Sequence, residues 1–188
     1  MYQVEATGTN RVKRRRIFLG ACAFCLLAIS VYVVFVKVQG NFHPVTEGEA
    51  YRSAQLNGSR LEKYIRRHNI RSVLNLQGRH AGEDWYEDEL AVCARLQVAH
   101  YDVALSASHE PTATQVQELV TIFRNAQRPI LLHCQAGADR SGLVAAMWKV
   151  VVDGESKAEA GKQLTFWYGH FPLGDKRAMD NFFEKWNP

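Results

Sequence analysis

The chain is 188 residues long, a length that predicts one globular domain of about 100 to 200 residues and a short additional segment. Its formal net charge is +4, and residues 1–16 carry all of it, because five Lys or Arg residues and one Glu occur there (5 − 1 = +4). The remainder of the chain is therefore neutral, which argues against nucleic acid as a partner.

An apolar run follows this basic tail and extends over residues 17–36, twenty positions without a charge. A helix of that length spans a hydrocarbon core of about 30 Å. The alternative is a secretory signal peptide, but its apolar region usually has about 7 to 15 residues and ends at a small-residue cleavage site, which this sequence lacks. The predicted organisation is a basic tail (1–16), a single transmembrane helix (17–37), a linker passing into an edge strand or hairpin (38–50) and a globular domain (51–188).

The charges around the apolar run predict its orientation. Five cations precede it and Lys37 alone follows it. Because cationic flanks remain in the cytoplasm, we expect a cytoplasmic N-terminus and a globular domain on the far side of the membrane, in the periplasm if the protein is bacterial. Two of the four cysteines, Cys22 and Cys25, lie in the run. Cys93 lies on the apolar face of a helix and is predicted to be a core residue.

Apolar strands alternate with amphipathic helices through the globular domain. The strands are predicted at 70–76, 98–105 and 129–133, and the helices at 59–68, from within 82–90 onward, and at 111–125, 141–153, 156–167 and 175–186. This alternation predicts an α/β fold with a central, mainly parallel sheet flanked by helices. In such folds a functional site forms at the carboxyl end of the central strand.

Some local predictions depend on single residues. Ser59 and Glu62 have the spacing of a capping box at the start of the first helix. The acidic run 82–90 indicates a solvated helix start. Arg52 is predicted on the surface or in strand pairing rather than at a substrate, and the aromatic cluster 166–171 is predicted to pack over the sheet.

The stretch ILLHCQAGADRSG, residues 130–142, contains the chemistry. A short apolar strand ends there and a helical pattern begins at Ser141, so Cys134 to Arg140 form a strand-to-helix loop. Helix N-termini and nearby cations favour the thiolate form of cysteine, which makes Cys134 the predicted nucleophile. The guanidinium of Arg140 suits bidentate contact with two phosphate oxygens.

The backbone of this loop predicts an anion site. Its successive N–H groups can face one point, with the positive end of the following helix behind them. Gly137 allows the backbone to approach closely because it has no Cβ atom. The predicted substrate-binding residues are Gln135, Ala136, Gly137, Ala138 and Ser141.

The spacing of His133, Cys134, Gly137, Arg140 and Ser141-Gly142 resembles the HCxxGxxR(S/T)G signature of the cysteine-dependent protein tyrosine and dual-specificity phosphatases. The segments YRSAQ at 51–55 and VLNLQG at 73–78 are similar to the atypical dual-specificity branch, which includes bacterial exported phosphatases and inositol-pyrophosphate phosphatases. This weaker resemblance extends over residues 45–187.

The resemblance implies a two-step reaction. Cys134 attacks phosphorus, water hydrolyses the phosphocysteine, and Ser141 assists departure of the sulfur. The implied substrates are phosphotyrosine, phosphoserine or phosphothreonine in proteins, or a phosphorylated lipid or inositol. The reaction requires neither metal nor cofactor, and the sequence contains no cluster with metal-ligand spacing.

The proton donor is less clear from the sequence. In most dual-specificity phosphatases it is an Asp on a loop roughly thirty residues before the cysteine, where this chain reads SASHEPT. Three candidates remain open. Asp139 directly precedes Arg140, as in phosphatases with AGxDR(S/T)G loops and in myotubularin-type lipid phosphatases, and it is favoured over Asp102 in a predicted strand and Glu110 near a helix start.

Two other functions fit parts of the pattern. A rhodanese-type sulfurtransferase also uses a cysteine loop, although that loop usually lacks the G-x-x-R-S-G ending. A phosphate-binding module without turnover is suggested by the missing Asp in SASHEPT.

Overall fold

The computed structural model describes residues 11, 13–24, 26–27, 30, 39–174 and 177–187. The chain divides into two compact units, Met1–Gln39 and Gly40–Pro188. In the first unit the described residues are helical. No helix among the described residues combines the length and the apolarity that crossing a membrane requires. Much of the predicted anchor 17–37 lies outside the described residues.

The second unit is built on one five-stranded sheet. Its strands are β1 (His43–Thr46), β2 (Ala50–Ala54), β3 (Ser72–Asn75), β4 (Ala99–Asp102) and β5 (Ile130–Cys134). Their order is β1-β2-β5-β3-β4, and β1 pairs with β2 in antiparallel fashion while the other three pairs are parallel. The α/β class is therefore confirmed, and the sheet is mixed because its edge strand β1 belongs to a hairpin. The predicted linker 38–50 contains that edge strand.

Helices cover both faces of the sheet. They are α1 (Gly58–His68), α2 (Asp84–Leu96), α3 (Ala113–Asn125), α4 (Asp139–Val151), α5 (Lys157–Ala160) and α6 (Arg177–Lys185), with 3₁₀ turns at Gly161–Gln163 and Phe166–Tyr168. The helix predicted over 156–167 is thus only a short helix followed by turns.

The central strand β5 is buried along its whole length, and its side chains alternate between two cores. Leu131 packs with Val73 and Ile65 on the side of α1 and α2. Leu132 packs with Leu143 of α4 on the opposite side. The buried α4 therefore lies directly against the strand that ends at Cys134, and its N-terminus begins at the same edge of the sheet.

Capping differs from the prediction at α1. The N-cap is Asn57, whose side chain accepts from the backbone of Arg60, so the predicted Ser59/Glu62 capping box is wrong. Glu62 instead pairs with Arg66 in the same helix and with Arg95 of α2. A capping box does occur at α3. The Thr112 side chain accepts a hydrogen bond from the backbone N–H of Gln115, and the Gln115 side chain accepts one from the backbone N–H of Thr112.

Candidate active site

Cys134 is the last residue of β5, and its side chain is buried. Residues 135–138 form the loop, and α4 begins at Asp139, two residues earlier than the sequence pattern indicates. The Cys134 Sγ lies 3.5 Å from the Ser141 Oγ in the first turn of α4. A hydroxyl at this distance can donate a hydrogen bond to a thiolate and stabilise the sulfur as a leaving group.

Arg52 of β2 holds the loop from inside the protein. It is fully buried, and its Nη2 donates to the carbonyls of Gly137 and Ala138, each at 3.0 Å. Its Nη1 donates to the backbone and side-chain oxygens of Gln163, at 2.7 and 3.0 Å. The sequence predicts Arg52 on the surface or in strand pairing. Instead, its buried side chain supports the loop from inside the protein.

Asn41 supports the loop from the other end. Its Nδ2 lies within 2.9 to 3.1 Å of the carbonyls of Ala136, Gly137 and Tyr168. The side-chain oxygen of Asn41 is 3.0 Å from Nε2 of His43, which fixes the direction of the amide. The backbone of Asn41 has a φ of 48°, in the left-handed region that Asn tolerates better than most residues.

These donors decide which way the loop amides face. Arg52 and Asn41 bind the carbonyls of three consecutive residues, Ala136, Gly137 and Ala138. In a trans peptide the N–H group lies opposite the C=O group, so the amides of these peptide units point to the other side of the loop. These amides and the positive end of α4 therefore have the arrangement that the predicted anion site requires.

The remaining predicted binding groups lie at the rim. Gln135 is exposed, and its carbonyl accepts from the backbone N–H of Gln55. The Arg140 guanidinium lies 3.5 Å from the carbonyl of Leu76 and 3.4 Å from that of Leu105. Hydrogen bonds of this length are weak, so the side chain can turn toward an anion at little cost.

The buried guanidinium of Arg52 also affects the electrostatics. Burial lowers the pKa of Arg52 to about 10, although the charges of Cys134, Tyr168 and Asp139 act in the opposite direction. The Arg52 guanidinium also lies over the Tyr168 ring, 4.4 Å from its centroid. The charge of Arg52 therefore interacts with Cys134, the predicted nucleophile.

Asp139, the favoured proton donor, is the first residue of α4, and its carboxylate contacts a buried histidine. The Asp139 Oδ1 lies 2.7 Å from Nδ1 of His170, whose Nε2 lies 2.9 Å from Oδ2 of Asp180 in α6. The sequence prediction assigned the cluster around His170 to packing over the sheet. Instead, three of its side chains are exposed, Phe166 by 54%, Trp167 by 65% and Phe171 by 57%, while the His170 side chain turns inward.

The other two candidate donors have different partners. Asp102 ends β4, where its Oδ1 accepts from Asn75 Nδ2 at 2.8 Å and its Oδ2 accepts from the Tyr86 hydroxyl. Burial and the bond to Asp102 raise the pKa of Tyr86 to about 12, so this hydroxyl remains a donor. Glu110 lies before α3 and pairs with Lys185 at 3.0 Å.

A buried carboxylate also contacts His133, the residue before Cys134. Glu89 of α2 accepts from His133 at 3.1 Å and from His100 at 2.8 Å. Burial on its own would raise the pKa of Glu89, but these two histidines outweigh burial and lower it to about 2. The prediction that the acidic run 82–90 is solvated is therefore wrong for Glu89, which is buried. Cys93, one turn further along α2, is buried as predicted, and burial raises its pKa to about 12.

The supporting residues were not predictable as a set. Asn41 lies in the predicted linker, and its only local signal is the Gly-Asn turn dipeptide at 40–41. Gln163, His170 and Glu89 have no motif, because their partners are distant in sequence. The sequence indicates a buried polar contact only where a polar residue lies within an apolar stretch, as His170 does among aromatic residues.

This fold is typical of the cysteine-dependent phosphatases: a cysteine ends the central strand, and a short loop connects it to a buried helix. A family model described as DSP-PTPase phosphatase fused to NAD⁺ kinase matches residues 33–179, more than half of the chain. The chain belongs to that family, within the atypical dual-specificity branch of the cysteine phosphatases.

Individual relatives are more distant. The dual specificity protein phosphatase TpbA of Pseudomonas aeruginosa is 34% identical over 67 residues, a match that spans 33% of this chain and 29% of TpbA. The TpbA crystal structure matches 78% of this chain and 85% of its own with a TM-score of 0.60 and 22% identity. The catalytic core of the S. cerevisiae PP-IP phosphatase SIW14, solved with citrate, matches 78% of this chain and 85% of its own, with a TM-score of 0.64 and 22% identity. These structural similarities establish the fold.

Proposed function

We propose that this protein is a phosphomonoester hydrolase that acts through a phosphocysteine intermediate. The observation that carries this proposal is the loop itself. Donors from Arg52 and Asn41 bind three successive carbonyls, so the amides of these peptide units face the opposite side of the loop that follows Cys134. A preorganised set of donors stabilises negative charge that develops in a transition state without further reorganisation.

In the first step the Cys134 thiolate attacks phosphorus. The loop amides and the Arg140 guanidinium bind the equatorial oxygens, and a general acid protonates the leaving oxygen. In the second step water attacks the phosphocysteine. The Ser141 hydroxyl, 3.5 Å from the sulfur, then stabilises the departing thiolate.

Asp139 is the general acid in this proposal. It is the first residue of α4, directly after the loop and directly before Arg140, so we expect its carboxyl to lie close to a bound phosphoryl group. Both oxygens of Asp102 already accept hydrogen bonds, and Glu110 is paired with Lys185, which makes these two less suitable. The rhodanese-type alternative is set aside because the chain belongs to the phosphatase family.

The test compares the purified wild-type protein with Cys134→Ser and Arg140→Ala on an aryl phosphate. Cys134→Ser removes the nucleophile and should reduce kcat at least about a hundredfold while retaining part of the affinity for vanadate. Arg140→Ala should weaken both vanadate binding and turnover. Turnover by Cys134→Ser above about a hundredth of the wild-type rate would exclude covalent catalysis by this thiol, and inactivity of the wild type with intact vanadate binding would favour a phosphate-binding module.

What similar proteins bind supports a proposal for the substrate class. One TpbA structure, of a cysteine-to-serine variant, contains phosphotyrosine, and SIW14 is a PP-IP phosphatase. We therefore propose phosphotyrosine, phosphoserine or phosphothreonine in proteins, or a phosphorylated inositol or lipid, as substrates. A panel of these classes at equal concentration, compared by kcat/KM, separates them.

We propose further that residues 17–37 anchor the chain in a membrane. The support is the uncharged run of twenty residues and the five cations before it. This arrangement favours a cytoplasmic N-terminus and a catalytic unit on the opposite side, in the periplasm of a bacterium.

A further inference from the structure

The imidazole of His170 is fully buried between two carboxylates. Its Nδ1 lies 2.7 Å from Asp139 and its Nε2 lies 2.9 Å from Asp180. A neutral imidazole has one N–H group, so only the imidazolium form donates to both carboxylates. Burial on its own would lower the pKa of His170, but the bonds to Asp139 and Asp180 outweigh burial and raise it.

The two hydrogen bonds of His170 connect three separate parts of the unit Gly40–Pro188. Asp139 starts α4, His170 follows the 3₁₀ turn Phe166–Tyr168, and Asp180 lies in α6. Arg52 is the cation whose charge also acts on Asp139. Because the ring is buried and bonded on both sides, its rotation would leave buried charges unpaired. The carboxyl of Asp139 is therefore held in one orientation.

We propose that His170, held by Asp180, is a positioning residue that orients the Asp139 carboxyl for proton transfer to the leaving group. This inference rests on the proposed function. It concerns a residue that lies 31 positions beyond Asp139 and outside the signature loop.

The proposed transfer accounts for every bond and proton. In the first step the Sγ–P bond forms, the P–O bond breaks with its electron pair on the leaving oxygen, and that oxygen takes the proton of the Asp139 carboxyl. The resulting carboxylate faces the His170 imidazolium, which stabilises its charge. In the second step a water oxygen bonds to phosphorus, the S–P bond breaks with its pair on sulfur, and Asp139 takes the proton that the water loses. His170 keeps both of its protons throughout.

The experiment uses the full chain and the variant His170→Gln. A general acid matters most when the leaving group is poor, so kcat is compared for tyrosyl phosphate and for the phosphate of an acidic phenol. We expect the kcat of His170→Gln to fall about 10- to 100-fold with tyrosyl phosphate and less than about threefold with the acidic phenol. The values are taken at the plateau of each pH profile, so that differences in protonation do not contribute.

Coupling provides the second measurement. If His170 acts through Asp139, the double variant Asp139→Asn/His170→Gln should lose no more activity than Asp139→Asn alone. The matched control is His68→Gln, which replaces a histidine packed between Phe42 and Tyr51 and should leave both rates unchanged.

The outcomes are separable. Equal losses on both substrates, or losses that add in the double variant, would show that His170 only stabilises the fold and would overturn the inference. Activity that survives in Cys134→Ser would overturn the proposed function instead. If thermal unfolding of His170→Gln shows no cooperative transition, the variant is not folded, and Asp180→Asn provides the same test. We expect it to show the same leaving-group dependence with a smaller loss, and a uniform loss would overturn the inference.

Discussion

Gly137 is the residue on which the shape of the loop depends most directly. Its φ is +69°, and a Cβ atom there would lie 2.5 Å from the backbone nitrogen of Ala54 and 2.6 Å from the carbonyl carbon of Ser53. Both neighbours are backbone atoms of β2, which cannot move without disturbing the sheet. A side chain at this position therefore displaces the carbonyls that Arg52 binds, and with them the amides of the anion site.

We expect Gly137→Ala to lower kcat/KM for an aryl phosphate by at least about tenfold and to reduce the free energy of unfolding by more than the strain of a positive φ alone, about 1 to 2 kcal/mol. Gly154→Ala is the matched control, because Gly154 has the same φ of +69° and nothing lies within 4 Å of its Cβ position. Urea unfolding and steady-state kinetics of both variants measure the difference. Equal effects of the two substitutions would mean that contact with β2 contributes nothing.

At the scale of elements, His170 connects α4 and α6 through its hydrogen bonds to Asp139 and Asp180, and these bonds depend on the charge of its imidazole. The bonds to Asp139 and Asp180 raise the pKa of His170 in the folded protein, against the effect of burial. A raised folded-state pKa contributes stability that is fully present below the unfolded value of about 6.5 and is lost as the pH rises through the folded value.

We therefore expect the difference in free energy of unfolding between the wild type and His170→Gln to be largest below about pH 6.5 and to shrink as the pH rises above it. Urea titrations of both proteins across the pH range from acid to alkaline measure it. Using the difference removes the contributions of His43 and His68, whose pKa values are lowered mainly by burial and which act in the opposite sense. A difference that stays constant with pH would show that His170 is not charged in the folded protein.

The same elements show how far local sequence patterns predict the site. The strand, the loop and the start of α4 were predictable because their signals lie within thirteen consecutive residues, 130–142. The supports of the loop were not, because Arg52 and Gly137 are separated by 85 positions and Asn41 and Tyr168 by 127. A charged or polar residue far along the chain has no periodicity that indicates which backbone carbonyl it will bind, so only the folded arrangement identifies it.

Single charged residues were misjudged for a related reason. Arg52 was predicted on the surface or in strand pairing and Glu89 at a solvated helix start, because arginine and glutamate are rarely fully buried without partners. Both are buried, and each has several: Gln163 and the loop carbonyls for Arg52, and two histidines for Glu89. Such partners lie on other elements, so composition alone favours the exposed assignment.

At the scale of the whole molecule, the chain divides into two compact units, Met1–Gln39 and Gly40–Pro188. The two core clusters and the loop supports lie within the second unit, starting with Asn41. The proposed catalysis and the proposed membrane attachment should therefore be separable by deleting residues 1–39.

We expect the 40–188 fragment to retain the kcat/KM of the full chain for a small aryl phosphate within about threefold, since its core and loop remain intact. The full chain should stay with membranes after an alkaline carbonate wash, whereas the fragment should be released, because the uncharged run 17–36 is then missing.

Protease added to intact spheroplasts should degrade residues 40–188 of the full chain and leave the N-terminal tail protected, because the cations before the run should keep that tail in the cytoplasm. Full protection of the catalytic unit would reverse the proposed orientation, and a mature N-terminus near residue 40 would identify the run as a cleaved signal.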